Sequence, residues 1–247
     1  VTTWKIVLEY DGTNYCGWQR QPNAPSVQAE VERALARVLG GTHHNLVASG
    51  RTDSGVHALG QVCSFRTQVE RPASSVRDGL NALMPHDIAC VHAQVAAPDF
   101  HARFSAAGKL YRYVLRVHPA RSALRSGRVW QSRWSLDLDA MRQGLRLLEG
   151  THDFTSYRAA GCAAKSPVRR VDHCDLRRVE DEVWIEIYGQ GFLRHMVRNI
   201  VGTAAVVGRG RQPAQWMGEL LVLRDRGLAG RTAPGCGLYL VRVDYPG

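Results

Sequence analysis

Apolar residues recur along this chain in two alternating rhythms, one of strands and one of helices. Residues 3–10 (TWKIVLEY) are dense in β-branched and aromatic side chains and predict a strand, with Asp11-Gly12-Thr13-Asn14 as the turn that ends it. Ser26 is suited to cap a helix. Behind it Val27, Val31, Leu35, Val38 and Leu39 fall at helical spacing until Gly40-Gly41 stops the run. Residues 45–48 and 61–67 predict strands on either side of a glycine-punctuated loop. Residues 75–83 predict a helix with Val76, Leu80 and Leu83 on one face, and residues 88–95 a strand. The order is β-α-β-β-α-β, the ferredoxin-like split arrangement.

The second half repeats that order loosely. Residues 110–117 (LYRYVLRV) predict a strand, and Asp137 caps a helix that carries Leu138, Met141, Leu145 and Leu148 and ends at Gly150. Residues 168–179 and 183–188 predict paired strands around the acidic turn Glu180-Asp181-Glu182. Residues 192–207 and 215–223 predict helices, and residues 238–243 a closing strand. The expectation is an α+β fold of two halves, 1–105 and 106–247, whose sheets join side by side around a cleft.

The chain has 247 residues, and its 45% apolar and 22% charged composition is that of a globular protein rather than a disordered or fibrous one. No apolar run is long enough to span a bilayer. No basic-then-apolar leader opens the chain, so the expected compartment is the cytoplasm. The six cysteines are scattered without a C-x-x-C pair, and His43-His44 has no second pair at metal spacing, so buried thiols are expected rather than a zinc site.

Charge changes the picture. Residues 1–105 hold nine basic and nine acidic side chains, whereas residues 106–247 hold 23 and 13, which is the whole net charge of +10. Residues 106–136 carry Lys109, Arg112, Arg116, Arg121, Arg125, Arg128 and Arg133 with no acid. Such a segment draws a polyanion, nucleic acid first among them, although charge alone reads equally as a solvated face.

Three stretches carry candidate chemistry. In Ser49-Gly50-Arg51-Thr52-Asp53-Ser54-Gly55-Val56-His57, two glycines bracket a tight loop with Asp53 at its centre. A carboxylate so held serves as nucleophile or general base, but spacing alone favours an Asp that bonds its own turn. In Lys109-Leu110-Tyr111-Arg112-Tyr113, strand alternation puts both tyrosines on one face and Arg112 on the other. That reads as a base-stacking platform or as an aromatic core pair. On the helix expected from residue 192, Arg194, His195, Arg198 and Asn199 form a polar stripe. Arg194 and Arg198 stand four apart, facing an anion or plain solvent. No nucleotide-cofactor signature, G-x-S-x-G elbow, RNP1 pattern or tight acidic cluster is present in the sequence.

At these residues the chain resembles the tRNA pseudouridine synthase I (TruA) family. The loop Gly50-Arg51-Thr52-Asp53-Ser54-Gly55-Val56-His57 is similar to that family's G-R-T-D-x-G-V-H signature, with Ser54 where Ala is common. The likeness extends to Tyr10-Asp11-Gly12-Thr13 with Gly17-Trp18-Gln19, Asn81-Ala82-Leu83-Met84-Pro85, Phe104-Ser105-Ala106, Tyr111-Arg112-Tyr113, His152-Asp153-Phe154-Thr155-Ser156, His195-Met196-Val197-Arg198-Asn199 and Gly237-Leu238-Tyr239-Leu240. The resemblance implies the pseudouridine synthase fold, two ferredoxin-like halves with a mixed, mostly antiparallel central sheet and helices on one side. It implies isomerisation of uridine to pseudouridine at positions 38, 39 and 40 of the tRNA anticodon arm by a homodimer without cofactor or metal. It implies Asp53 as the catalytic carboxylate, Arg198 as its ion-pair partner, Tyr111 as the residue stacked on the flipped base, and Arg51 as support for the flipped state. Arg121, Arg125, Arg128 and Arg194 are expected to contact RNA. The rival readings are an RNA-binding module without catalysis, and a hydrolase that adds a second carboxylate from Asp11, Asp153 or Asp172.

Overall fold

A computed structural model describes residues 1–41 and 45–246, so the His43-His44 pair lies outside the described residues. The chain divides into two compact units, Val1–Ala107 with Tyr239–Gly247, and Gly108–Leu238. The first half contributes β1 (Thr2–Tyr10), α1 (Val27–Leu39), β2 (Val47–Ala48), β3 (His57–Thr67), α2 (Ala73–Leu83) and β4 (Ile88–Val95). The second contributes β5 (Gly108–Val117), β6 (Trp130–Ser132), α3 (Leu138–Arg146), β7 (Gly150–Asp153), β8 (Val168–Val179), β9 (Glu182–Gly189), α4 (Met196–Gly208), α5 (Trp216–Leu223) and β10 (Leu238–Asp244).

In the first unit β1 lies antiparallel between β3 and β4, and β2 pairs antiparallel with β3. The resulting order β4-β1-β3-β2 is that of the split motif. Trp4, Ile6, Leu8 and Tyr10 alternate inward along β1, while Val27, Val31, Leu35, Val76 and Leu80 of the two helices complete the core. Each such side chain contributes about 1.5–3 kcal/mol by leaving water.

Two-residue β2 covers only Cys63 and Ser64, leaving the first residues of β3 open. β10 fills that place, running parallel to β3 at His57 and Ala58. The closing strand of the sequence, grouped by chain order with residues 106–247, therefore belongs from Tyr239 onward to the first unit. It approaches so closely that a Cβ on Gly60 would lie 2.6 Å from the Val241 carbonyl oxygen. β3 also takes one extra residue against β1 between Ala58 and Gln61, a bulge beside the loop that bears Asp53. Glycine and bulge together break the alternation, so the pattern predicts a strand only from residue 61 while pairing begins at His57.

In the second unit β5, β9, β8 and β7 form an antiparallel run, with β6 parallel to β5. Asp137 caps α3, accepting from the N–H groups of Asp139 and Ala140. That helix ends at Arg146, and Gly150, at φ 105°, opens β7 instead of closing the helix. β6 and β7 are too short to show alternation in the sequence. The helix expected from residue 192 starts at Met196, because His195 sits at φ 60° in the left-handed region. Nearly all of α4 is buried.

Candidate active site

The loop from β2 to β3 is tied down on both sides of Asp53. Upstream, Ser49 N–H donates to Val62 O at 2.8 Å and Ser49 Oγ to Gln61 Oε1 at 2.7 Å. Gln61, fully buried on β3, returns a bond from Nε2 to Gly50 O at 2.8 Å. At the centre, Thr52 Oγ1 lies 2.8 Å from Tyr10 Oη, and Thr52 O accepts Trp18 N–H at 3.0 Å. Downstream, Val56 N–H donates to Asp53 O at 3.1 Å, while Ser54 Oγ and Gly55 N–H both donate to Tyr15 O at 3.3 Å.

The segment 12–18 can press against this loop only through glycine. Gly17 has φ +94°, and a Cβ there would stand 2.6 Å from Thr52 O; at Gly12 it would meet Val56 O at 2.0 Å. The loop backbone is thus fixed while the Asp53 side chain remains half-exposed. Arg51 beside it is exposed. Asp11 is committed locally, accepting from Thr13 N–H and Oγ1 and lying 3.1 Å from His57 Nδ1. Asp153 and Asp172, in the other unit, are engaged with Thr155 and Arg224 and with Arg170 respectively.

The second unit holds the other expected catalytic side chains. Tyr111 on β5 is 8% exposed and meets Phe192 edge-on, ring centroids 5.2 Å apart. Tyr113 is fully buried, donates to Pro234 O at 2.8 Å, and has its hydroxyl pushed well above the ordinary phenol range by desolvation. Both tyrosines are buried, Tyr113 the more completely. Arg112 points to the opposite face, paired with Glu186 at 2.6 Å and lying 4.1 Å over the Trp184 ring. Arg198, in the first turn of α4, donates from Nε to Ala233 O at 2.7 Å, and Ala233 N–H returns a bond to Arg198 O at 3.1 Å.

Two expectations are corrected here. Arg194 and Arg198 do not share a helical face, because Arg194 precedes the left-handed His195. Arg194 is exposed and instead joins the turn at 159–162, its carbonyl accepting Ala159 N–H at 3.1 Å and its own N–H reaching Cys162 Sγ at 3.5 Å. Asn199 is not on a polar surface either. It is fully buried, donating to Tyr157 O at 2.8 Å and accepting from Thr232 Oγ1 at 2.6 Å and Arg226 at 3.0 Å.

The basic run 106–136 also finds partners that local sequence hides. The acidic turn and strand of the β8–β9 hairpin supply Asp181 to Arg116 at 2.6 Å, Glu182 to Arg125 at 3.1 Å, and Glu186 to Arg112. Arg121 and Arg133 are exposed and carry no ion pair among the described residues, and Arg128 is exposed. Among those residues no three His, Cys, Asp or Glu side chains gather as a metal site, and no helix is long and apolar enough to cross a membrane.

With this geometry in view, known proteins give the chain its place. A sequence profile described as tRNA pseudouridine synthase matches residues 6–105 and 145–246, leaving the whole basic run 106–136 between the matched stretches. A protein named tRNA pseudouridine synthase A from Syntrophotalea carbinolica is 50% identical over 98% of this chain and 95% of its own length. Proteins of the same name from Geobacter sulfurreducens and Neisseria gonorrhoeae are 47% and 46% identical, over 98% and 99% of this chain and 99% and 92% of their own lengths. A profile match over most of the chain, together with relatives about half identical over nearly all of it, means that the chain belongs to the tRNA pseudouridine synthase family and has the α+β pseudouridine synthase fold.

Proposed function

We propose that this enzyme isomerises uridine to pseudouridine at positions 38, 39 and 40 of the tRNA anticodon arm, with Asp53 as the catalytic carboxylate. The observation that carries the reading is the loop itself. Hydrogen bonds with Tyr10, Trp18, Tyr15 and Gln61 hold the loop on both sides of a half-exposed carboxylate. A turn Asp that served only its own backbone would need no such frame, and a binding module has no use for a fixed anion facing RNA.

The reaction breaks the N1–C1′ bond, turns the uracil and joins C5 to C1′, the C5 proton being lost and N1 regaining one. Atoms balance without a second substrate. A stem uridine must first leave the stack, at a cost of a few kcal/mol. Asp53 then acts on the sugar or the ring, or takes a ribose proton. Arg198, whose Nε is anchored on Ala233, serves in this reading as the ion-pair partner of Asp53. Tyr111 stacks on the flipped base, and Arg51 supports the flipped state. The proposal includes a homodimer, working in the cytoplasm where tRNA is the substrate, and RNA contacts from Arg121, Arg125, Arg128 and Arg194.

The test is to incubate the enzyme with an unmodified anticodon-arm tRNA, map pseudouridine by carbodiimide-dependent primer extension, and assay free uracil. The proposal expects pseudouridine at 38, 39 or 40 and no uracil. Modification elsewhere in the tRNA contradicts the assigned positions, and free uracil points to a hydrolase.

A further inference from the structure

The turn that follows β4 is built in two layers. Ala102 faces inward and is fully buried. Its N–H donates to Ser64 Oγ at 3.0 Å, and its carbonyl accepts Tyr245 Oη at 2.7 Å. Tyr245 packs on Phe100 with ring centroids 5.0 Å apart, and the Lys5 ammonium lies 4.6 and 5.5 Å from the two rings. The residues flanking Ala102 face outward. His101 Nδ1 accepts the N–H groups of both Arg103 and Phe104 at 3.2 Å, and Ser105 closes the turn, its Oγ accepting His101 N–H at 3.1 Å and its N–H donating to His101 O at 2.9 Å. The imidazole is thereby fixed, and Phe104 stacks on it at 4.3 Å and 26°.

Phe104 is 77% exposed, alone among the five phenylalanines in standing mostly in water. A single exposed apolar side chain needs no explanation. This one is different because it is held flat on a hydrogen-bonded turn, with the Arg103 guanidinium 5.5 Å from its centroid. Arg103 is exposed and has no carboxylate partner among the described residues. An aromatic face beside an unneutralised cation matches a flat π-system joined to an anion, which is a nucleobase with its phosphate. A second protein surface would call for apolar neighbours, whereas the immediate neighbours of this ring are an imidazole and a guanidinium.

We infer that Phe104, with His101 and Arg103, is a stacking platform for an unpaired base of the RNA substrate. The inference rests on the function proposed above. The base is not the one that reacts. Ala102 docks on Ser64, seven residues along β3 from His57, where the Asp53 loop ends, which is about 23 Å at the rise of a strand.

The experiment measures dissociation constants of Phe104→Ala, Phe104→Leu, Phe104→Tyr and Phe104→Trp for an unmodified tRNA transcript, alongside melting temperature and sedimentation. Stacking predicts about five- to a hundredfold weaker binding for Ala and Leu, wild-type binding for Tyr and Trp, and unchanged melting temperatures throughout. Leu binding as tightly as Phe, or Ala showing no loss, overturns the inference. So does a loss in Ala that coincides with a changed oligomeric state, which assigns Phe104 to a contact between copies. If the wild-type chain forms pseudouridine in tRNA and Phe104→Ala binds normally, only this inference fails. If the wild-type chain neither binds nor modifies tRNA, the proposed function fails with it.

Discussion

The loop that carries Asp53 is tied down through its backbone, and that governs how substitutions around it act. Gly17→Ala places a methyl against Thr52 O on a backbone at φ +94°. It is expected to cost about 1–3 kcal/mol in denaturant unfolding and to lower pseudouridine formation by displacing the loop. Asp53 is legible in the sequence through the likeness of its loop to the G-R-T-D-x-G-V-H signature, since spacing alone favours a turn Asp. Tyr10 and Gln61 are not, since each reaches the loop from a strand and only the register of β1 and β3 brings them there. The thiols give a separate test at this scale. Burial pushes Cys90 and Cys174 up to about 12 and holds Cys63 well above the ordinary thiol value. Burial also pushes Cys162 upward, but hydrogen bonds from Arg194, Ala164 and Arg158 together with the Arg158 charge outweigh it and hold that thiol below its ordinary value. Since the thiolate is the reactive form, iodoacetamide at pH 7.5 followed by mass spectrometry should label Cys162 and leave Cys63, Cys90 and Cys174 unmodified until the chain is unfolded.

At the scale of elements, helices with an amphipathic stripe and a cap were readable from the chain. Asp137 was expected to cap α3 and does so through two backbone N–H groups. Asp137→Ala is accordingly expected to cost about 1 kcal/mol, a drop in melting temperature of about 2–4 °C. Elements set by long-range contact were harder to read. α4 is apolar on almost every side, so its pattern carries no marker of where it starts, and the left-handed His195 delays it to Met196. β10 looks in sequence like the end of the second half, yet from Tyr239 it belongs to the first, because short β2 leaves room on β3. The same placement puts Tyr239 on His57, ring centroids 4.7 Å apart, at the point where the Asp53 loop enters its strand.

Over the whole molecule the charge asymmetry survives division by structure. The unit carrying Asp53 holds ten basic and ten acidic residues, and the other holds 22 and 12. Its basic run is not uniformly available, because Arg112, Arg116 and Arg125 already have carboxylates. Arg121→Gln should therefore reduce the slope of log K against log salt for tRNA by about 0.7–0.9, one phosphate contact, while Arg125→Gln reduces it less. Equal slopes for the two would remove the hairpin carboxylates from the explanation. The central claim, that the neutral unit delivers the reacting carboxylate while the basic unit supplies most of the affinity, is tested most directly by single-turnover kinetics of Asp53→Asn on an unmodified tRNA. The expected result is pseudouridine formation slowed by about ten-thousandfold or more, with the dissociation constant for tRNA kept. Pseudouridine forming at near the wild-type rate without the Asp53 carboxylate would contradict the account.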